Sequence, residues 1–78
     1  MKPTPPRRNS TGRAICRLRH QARPRLTQED LAARLARQGL ALNQSQIAKI
    51  ESGRRPVLDY ELAAIARALR VPLLALFT

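Results

Sequence analysis

The sequence predicts an all-α domain of short helices, and three observations support this prediction. Apolar residues recur at spacings of three and four, which is the period of an amphipathic helix. The same helix-start pattern occurs twice, at residues 27–30 and 43–46. Aliphatic side chains must supply the core, because the 78 residues include one Phe, one Tyr and no Trp. A chain of this length forms one domain with a small core.

The sequence predicts a flexible segment at residues 1–9 and a folded domain at residues 10–78. The first nine residues contain three prolines and no apolar periodicity, which predicts a flexible basic arm. Residues 10–78 carry the helical periodicity and are predicted to form the domain. A basic arm of this kind can reach into the minor groove of DNA, and a disordered tail without a binding role is the alternative.

The first two predicted helices have clear ends. The first runs from about residue 10 or 11 to residue 22, and Pro24 stops it. The second runs from residue 28 to about residue 38, with Thr27 as its N-cap and Asp30 in the reciprocal capping position. The predicted core side chains of these helices are Ile15, Leu18, Ala22, Leu31, Ala32, Leu35 and Ala36.

Three further helices are predicted after a turn that contains Gly39. The third spans residues 44–52, with Asn43 as its N-cap and Gln46 in the reciprocal position. The fourth begins at about Asp59, because acidic residues are favoured in a first turn, and Pro72 can start a short fifth helix. The predicted core side chains here are Ile47, Ile50, Leu62, Ile65, Ala66 and Leu69.

The charge distribution points to a polyanionic partner. The formal net charge is +10, and eight basic residues precede the first acidic residue, Glu29. Self-repulsion of this size is typical of proteins that bind a polyanion, of which DNA is the commonest, and a merely solvated basic surface is the alternative. Two short helices joined by a glycine-containing turn, in so basic a chain, predict a helix-turn-helix that binds double-stranded DNA.

The sequence does not favour an enzyme, a metal site or a membrane protein. Cys16 and His20 are four residues apart on one helix face, which is half of a metal site, and no further Cys or His exists. We therefore expect no catalytic residue, no cofactor and no metal. No apolar run reaches transmembrane length, and a single cysteine suits a reducing compartment. We expect a cytoplasmic protein, associated with the nucleoid when bound to DNA.

Three segments carry the most specific motifs of the chain. They are LTQEDLAARL at residues 26–35, QSQIAKIESGRRP at residues 44–56 and DYELAAIARALRVPLLALF at residues 59–77. Together they resemble the lambda-repressor-like, Cro-type or XRE family of bacterial and phage DNA-binding domains. The resemblance implies a compact five-helix domain that binds a palindromic operator as a dimer, and a role in transcriptional regulation, here as a repressor.

The resemblance also implies roles for individual residues. Gln28 matches a glutamine whose side chain and backbone amide meet a DNA phosphate. Gln44 matches a reading position, from which a glutamine can contact adenine through two hydrogen bonds worth about 1–3 kcal/mol of discrimination. Glu51 matches a glutamate that pairs with an arginine of the first helix, here Arg19. The implied DNA contacts are Gln28, Asn43, Gln44, Ser45, Lys49, Arg54 and Arg55.

Each implied role has an alternative. Asn43 is fully explained by capping, and Gln44 and Ser45 are also ordinary solvated residues of a first turn. Lys49 can reach a guanine or only a phosphate. Glu51 can be a solvated acid that repels DNA.

The C-terminal segment predicts a homodimer. One short helix cannot bury all four of its large apolar side chains in its own small core, so Leu73, Leu74 and Phe77 are predicted to face a second copy. Such a contact would place two recognition helices about 34 Å apart, one turn of B-DNA. Two other functions stay open: an antitoxin that represses its own operon and holds a toxin partner, and a helical adaptor that binds a protein through residues 73–77.

Overall fold

The computed structural model describes residues 10–77, and these residues form four α-helices, one 3₁₀ helix and no strand. The helices are α1 (Ser10–Gln21), α2 (Gln28–Arg37), α3 (Gln44–Glu51) and α4 (Asp59–Leu69), followed by the 3₁₀ helix Leu73–Phe77. The all-α prediction is therefore confirmed, although the fifth element is a 3₁₀ helix. The predicted arm at residues 1–9 lies outside the described residues. Within residues 10–77, no helix is long and apolar enough to cross a membrane.

Two identical capping arrangements set the starts of α2 and α3. Thr27 Oγ1 accepts the Asp30 N–H at 3.0 Å, and Asp30 Oδ2 accepts the Thr27 N–H at 2.9 Å. Asn43 Oδ1 accepts the Gln46 N–H at 2.8 Å, and Gln46 Oε1 accepts the Asn43 N–H at 2.9 Å. Each arrangement satisfies two backbone donors that a helix start otherwise leaves unpaired. Both predicted helix starts are confirmed.

The helices enclose an aliphatic core that every element contributes to. Burying one such side chain stabilises the fold by about 1.5–3 kcal/mol. Leu18, Ala22, Ala32 and Leu62, which were predicted core residues, are only partly buried at its edge. The prediction was wrong for Ala36, which is exposed because it lies on a side of α2 turned away from the buried Leu31 and Leu35. The 3₁₀ helix packs against α1 and α4 and inserts Leu76 between them. The largest fully buried side chains are Ile15, Leu31, Leu35, Ile47, Ile50, Ile65 and Leu76.

Gly12 allows α1 to lie close against the end of α3. A Cβ placed on Gly12 would overlap the carbonyl oxygen of Ile50 and lie 3.1 Å from Glu51 Cα. A side chain of any size would therefore force the two helices apart. The close approach brings the polar face of α1 within reach of Glu51.

Candidate nucleic-acid interface

α3 presents a polar face to solvent beside the first turn of α2. Gln44, Ser45 and Lys49 are exposed, whereas Ile47 and Ile50 on the opposite side of the helix are buried. The turn between α2 and α3 passes through Gly39, whose φ of 83° lies in the left-handed region that favours glycine. The arrangement is a pair of packed helices with the polar side of the second one open to a ligand.

A chain of side-chain hydrogen bonds joins this face to the protein interior. Gln44 Nε2 donates to Gln28 Oε1 at 2.6 Å, and Gln28 Nε2 donates to Glu51 Oε1 at 3.0 Å. Arg19 binds Glu51 through both carboxylate oxygens, with Nε–Oε2 and Nη2–Oε1 distances of 2.9 Å. Arg19 Nη1 also donates to the carbonyl oxygen of Leu26 at 2.9 Å. The chain links α1, the segment after it, α2 and α3.

The chain has a fixed direction because Glu51 can only accept. A carboxylate has no donor, so Gln28 must turn its amide nitrogen towards Glu51 and its oxygen towards Gln44. Gln44 therefore donates one N–H to Gln28 and keeps a second N–H and its own oxygen for a ligand. A donor and an acceptor on one planar amide are the pair that an adenine edge in the major groove requires.

The Arg19–Glu51 pair is almost fully enclosed. Its side chains are 9% and 7% exposed, so the one acid of α3 is turned inward and does not face the outer surface. Burial raises the pKa of Glu51, but hydrogen bonds from Arg19 and Gln28 and the guanidinium charge outweigh it, and the pKa lies below its usual value. The hydrogen bond to Glu51 raises the pKa of Arg19 against the effect of burial. The pair is ionised at neutral pH.

The two arginines after α3 have different surroundings. Arg54 is exposed and forms no ion pair within the described residues. Arg55 instead donates to both oxygens of Glu61, at 3.0 and 2.8 Å. The hydrogen bond from Arg55 lowers the pKa of Glu61 and outweighs the opposing effect of burial. The side chain of Arg55 remains 26% exposed, so its contact with DNA stays a prediction.

The pairing of Glu61 with Arg55 was not predicted from the sequence. Glu61 also accepts the backbone N–H of Leu58 at 2.9 Å, which is half of a capping box whose N-cap side chain is apolar. An acid three residues after the N-cap position is the usual signal for this role. That signal was present, and the apolar residue at the cap position obscured it.

Comparison with known families agrees with this geometry. A family model for helix-turn-helix domains of the XRE type, HTH_3, matches residues 25–76. The chain belongs to this helix-turn-helix family. The predicted lambda-repressor-like resemblance is therefore confirmed, and membership places the chain among DNA-binding regulators of transcription. No curated protein and no solved structure matches the chain.

Asn43 and Gln28 occupy the helix starts of this helix-turn-helix domain. Asn43 is exposed, and its side-chain oxygen caps α3, so only its amide nitrogen is left for another partner. The side chain of Gln28 is held by Gln44 and Glu51. Gln28 is the first residue of α2, where backbone N–H groups lack acceptors within the helix.

The helix-turn-helix domain exposes an apolar surface at its C-terminal end. Leu73, Leu74 and Phe77 are 45%, 72% and 59% exposed, whereas Leu76 between them is fully buried. The three exposed side chains are those predicted to face a second copy.

Cys16 and His20 serve the local structure of α1. His20 Nδ1 lies 2.8 Å from the carbonyl oxygen of Cys16, and its distance to Cys16 Sγ is 3.7 Å. Burial raises the pKa of the Cys16 thiol. Residues 10–77 contain no group of three His, Cys, Asp or Glu side chains that could hold a metal ion.

Proposed function

We propose that this protein is a sequence-specific transcriptional regulator that acts as a repressor and binds a palindromic double-stranded operator as a homodimer. The observation that carries the proposal is the hydrogen-bond chain from Arg19 to Gln44. It holds the Gln44 amide in one orientation, with an unused donor and an unused acceptor directed at solvent. A reading side chain that is fixed before binding loses less conformational entropy when it meets a base.

In this proposal α3 lies in the major groove. Gln44 reads an adenine, and Ser45 and Lys49 contact the neighbouring base edges or phosphates. Asn43 can add one N–H donor while it caps the helix. α3 itself opposes the DNA with no free carboxylate, because Glu51, its one acid, is enclosed by Arg19.

Phosphate contacts flank the reading helix in this proposal. The free backbone N–H groups at the start of α2, beginning at Gln28, form a site for one phosphate at the positive end of that helix. Arg54 binds a second phosphate beyond the end of α3, because its guanidinium has no carboxylate partner in the described chain. Arg55 contributes the exposed part of its guanidinium, while Glu61 holds it in place.

The C-terminal apolar surface supports the dimer. Leu73, Leu74 and Phe77 are too exposed to contribute fully to the core, and burying them against a second copy removes apolar area from water. A two-fold contact there would place two copies of α3 about 34 Å apart, which matches successive major grooves on one side of B-DNA.

Selection of duplexes from a random library, followed by a salt titration on the enriched site, tests the regulator proposal. We expect one enriched palindrome. We also expect log affinity to fall with log salt at a slope of about −5 to −7, for about five to eight neutralised phosphates per dimer. A pool without enrichment, or a flat salt response, would contradict the proposal.

Sedimentation and half-site binding test the dimer. Leu74→Asp is expected to abolish cooperative binding to the full site and to leave half-site binding intact. Leu58→Asp is the matched control, because Leu58 is 48% exposed and lies outside the 3₁₀ helix. If the unmodified protein stays monomeric at high concentration and binds the full site without cooperativity, the dimer proposal is wrong.

A further inference from the structure

Many exposed arginines of this domain lie away from the polar face of α3. Within residues 10–77, the only ion pairs involve Arg19 and Arg55. Several other exposed arginines have no carboxylate partner in these residues and are not among the proposed DNA contacts. Those at the ends of α2 and α4 and in the segment before α2 are Arg25, Arg37, Arg67 and Arg70.

Two of these arginines, Arg37 and Arg67, lie next to the side chains that join α2 to α4. Arg34 Nη1 donates to the carbonyl oxygen of Ala68 at 2.9 Å, and Gln38 Nε2 donates to that of Ala64 at 3.0 Å. Because residue 34 meets residue 68 and residue 38 meets residue 64, the two helices run in opposite directions. The outer surface of the seam between α2 and α4, here named the α2–α4 face, consists of Arg34, Arg37, Gln38, Tyr60, Ala63 and Arg67.

The α2–α4 face has one hollow with an apolar part. This hollow, of about 300 Å³, is lined in part by Leu40, Tyr60 and Arg67. Another hollow, of about 330 Å³, lies between α2 and the segment before it, where Asp30 is part of its lining, and is not part of this face. Tyr60 is 65% exposed, so its ring does little for the core. Tyrosine and arginine side chains are enriched in protein–protein interfaces.

The proposed DNA contact does not explain this face. α3 meets α2 at Gln28, and Arg37 lies nine residues further along, about 14 Å away at 1.5 Å per residue. Arg67 belongs to α4, which packs against the side of α2 that carries Arg34 and Gln38. A duplex held by α3 therefore leaves the α2–α4 face free.

We propose that the α2–α4 face binds an acidic amphipathic helix of a partner protein. Its carboxylates would pair with Arg37 and Arg67, and its apolar side chains would enter the hollow beside Tyr60. The small side chain of Ala63 allows the backbone of the partner to approach closely. A second DNA duplex fits less well, because its phosphates would contact the arginines and leave the hollow and Tyr60 unused.

A titration followed by amide NMR shifts tests the proposal with a defined probe. The probe is a synthetic 15-residue helical peptide with Glu and Leu on opposite faces, and polyglutamate of equal length is the comparison. We expect shifts confined to residues 33–40 and 60–67, with the peptide binding at least about tenfold more tightly than polyglutamate. Such a difference corresponds to about 1.4 kcal/mol for the apolar contacts.

Charge-reversed variants complete the test. The Arg37→Glu, Arg67→Glu double variant is expected to lose about tenfold or more in peptide affinity. The Arg13→Glu, Arg17→Glu double variant carries the same charge change on exposed positions of α1 and is expected to lose less than about threefold. Circular dichroism checks that both double variants fold. If the Arg37→Glu, Arg67→Glu variant does not fold, the single Arg67→Glu variant replaces it.

Four results would overturn the proposal. The first is the absence of shifts on the α2–α4 face at millimolar peptide. The second is equal binding of peptide and polyglutamate, and the third is equal loss in both double variants. The fourth is that a duplex without the operator shifts the α2–α4 residues while the peptide does not, which would assign the face to a second DNA.

Discussion

Removal of Glu51 is expected to destabilise this domain more than removal of an exposed acid. Glu51→Ala takes both carboxylate oxygens away from the Arg19 guanidinium, at a site where that side chain is 9% exposed. It also removes the acceptor of the Gln28 amide, and with it the group that orients Gln44. The change therefore affects the fold and the reading side chain together.

The size of the effect follows from the surroundings of Arg19. Breaking a buried ion pair by removing one partner costs about 3–5 kcal/mol, because the remaining charge is left without compensation. Arg19 keeps its hydrogen bond to the carbonyl oxygen of Leu26, and the space left by the smaller side chain admits water. These two features lower the expected loss to about 2–4 kcal/mol, a large part of the total stability of a small domain.

Urea unfolding followed by circular dichroism measures this loss. Glu29→Ala is the matched control, because Glu29 is an exposed acid in the first turn of α2, and its removal is expected to cost less than about 1 kcal/mol. Glu51→Gln keeps the shape of the side chain without its charge and is expected to lie between the two. A loss below about 0.5 kcal/mol for Glu51→Ala would show that the pair does not stabilise the fold.

Three further predictions concern stability. The pKa values of Glu51 and Glu61 are lowered in the folded state, so their contribution to the free energy of unfolding is present above the unfolded pKa of about 4.3 and is lost as pH falls through the folded pKa. Urea melts between about pH 5 and 2 should show this loss, and the dependence on pH should be weaker in Glu51→Gln. Gly12→Ala should lower the free energy of unfolding in urea melts by about 1–3 kcal/mol, although alanine has the better helix propensity, and Arg13→Ala should be nearly neutral. Equal losses for the two variants would contradict the close contact of α1 with α3. Arg70, with φ of 59°, occupies a left-handed backbone conformation that favours glycine. Arg70→Gly should therefore raise the free energy of unfolding by about 0.5–1 kcal/mol, and Arg70→Ala should not. Equal effects of the two changes would contradict backbone strain at Arg70.

Local patterns in the sequence predicted the helix starts well. The capping boxes at Thr27 and Asn43 use residues three apart, so both members of each box are visible in a short stretch of sequence. The large core side chains of α2 and α3, which are Leu31, Leu35, Ile47 and Ile50, follow from helical periodicity in the same way, whereas the periodicity did not separate the exposed Ala36 from the core. The end of the chain was harder, because a 3₁₀ helix of five residues has too few turns for a period to separate it from an α-helix.

Contacts between residues far apart in the sequence could be identified only from the fold. The Arg19–Glu51 pair spans 32 positions and was expected only from a family resemblance. The hydrogen bonds of Arg34 and Gln38 to α4 follow from helix packing, and no local pattern encodes them. The direction of the Gln28 amide depends on Glu51, which lies 23 positions away in the sequence.

Base preference at a single DNA site, measured for two variants, tests the proposed reading by α3 most directly. Every base pair of the selected operator is changed in turn, and affinities are compared for the unmodified protein, Gln44→Ala and Arg54→Ala. Gln44→Ala is expected to lose about 1–3 kcal/mol of discrimination at one base pair per half-site and to keep the other preferences. Arg54→Ala is expected to weaken all duplexes alike and to reduce the salt slope by about 1 per half-site. If both variants shift every duplex equally, α3 does not read DNA through Gln44.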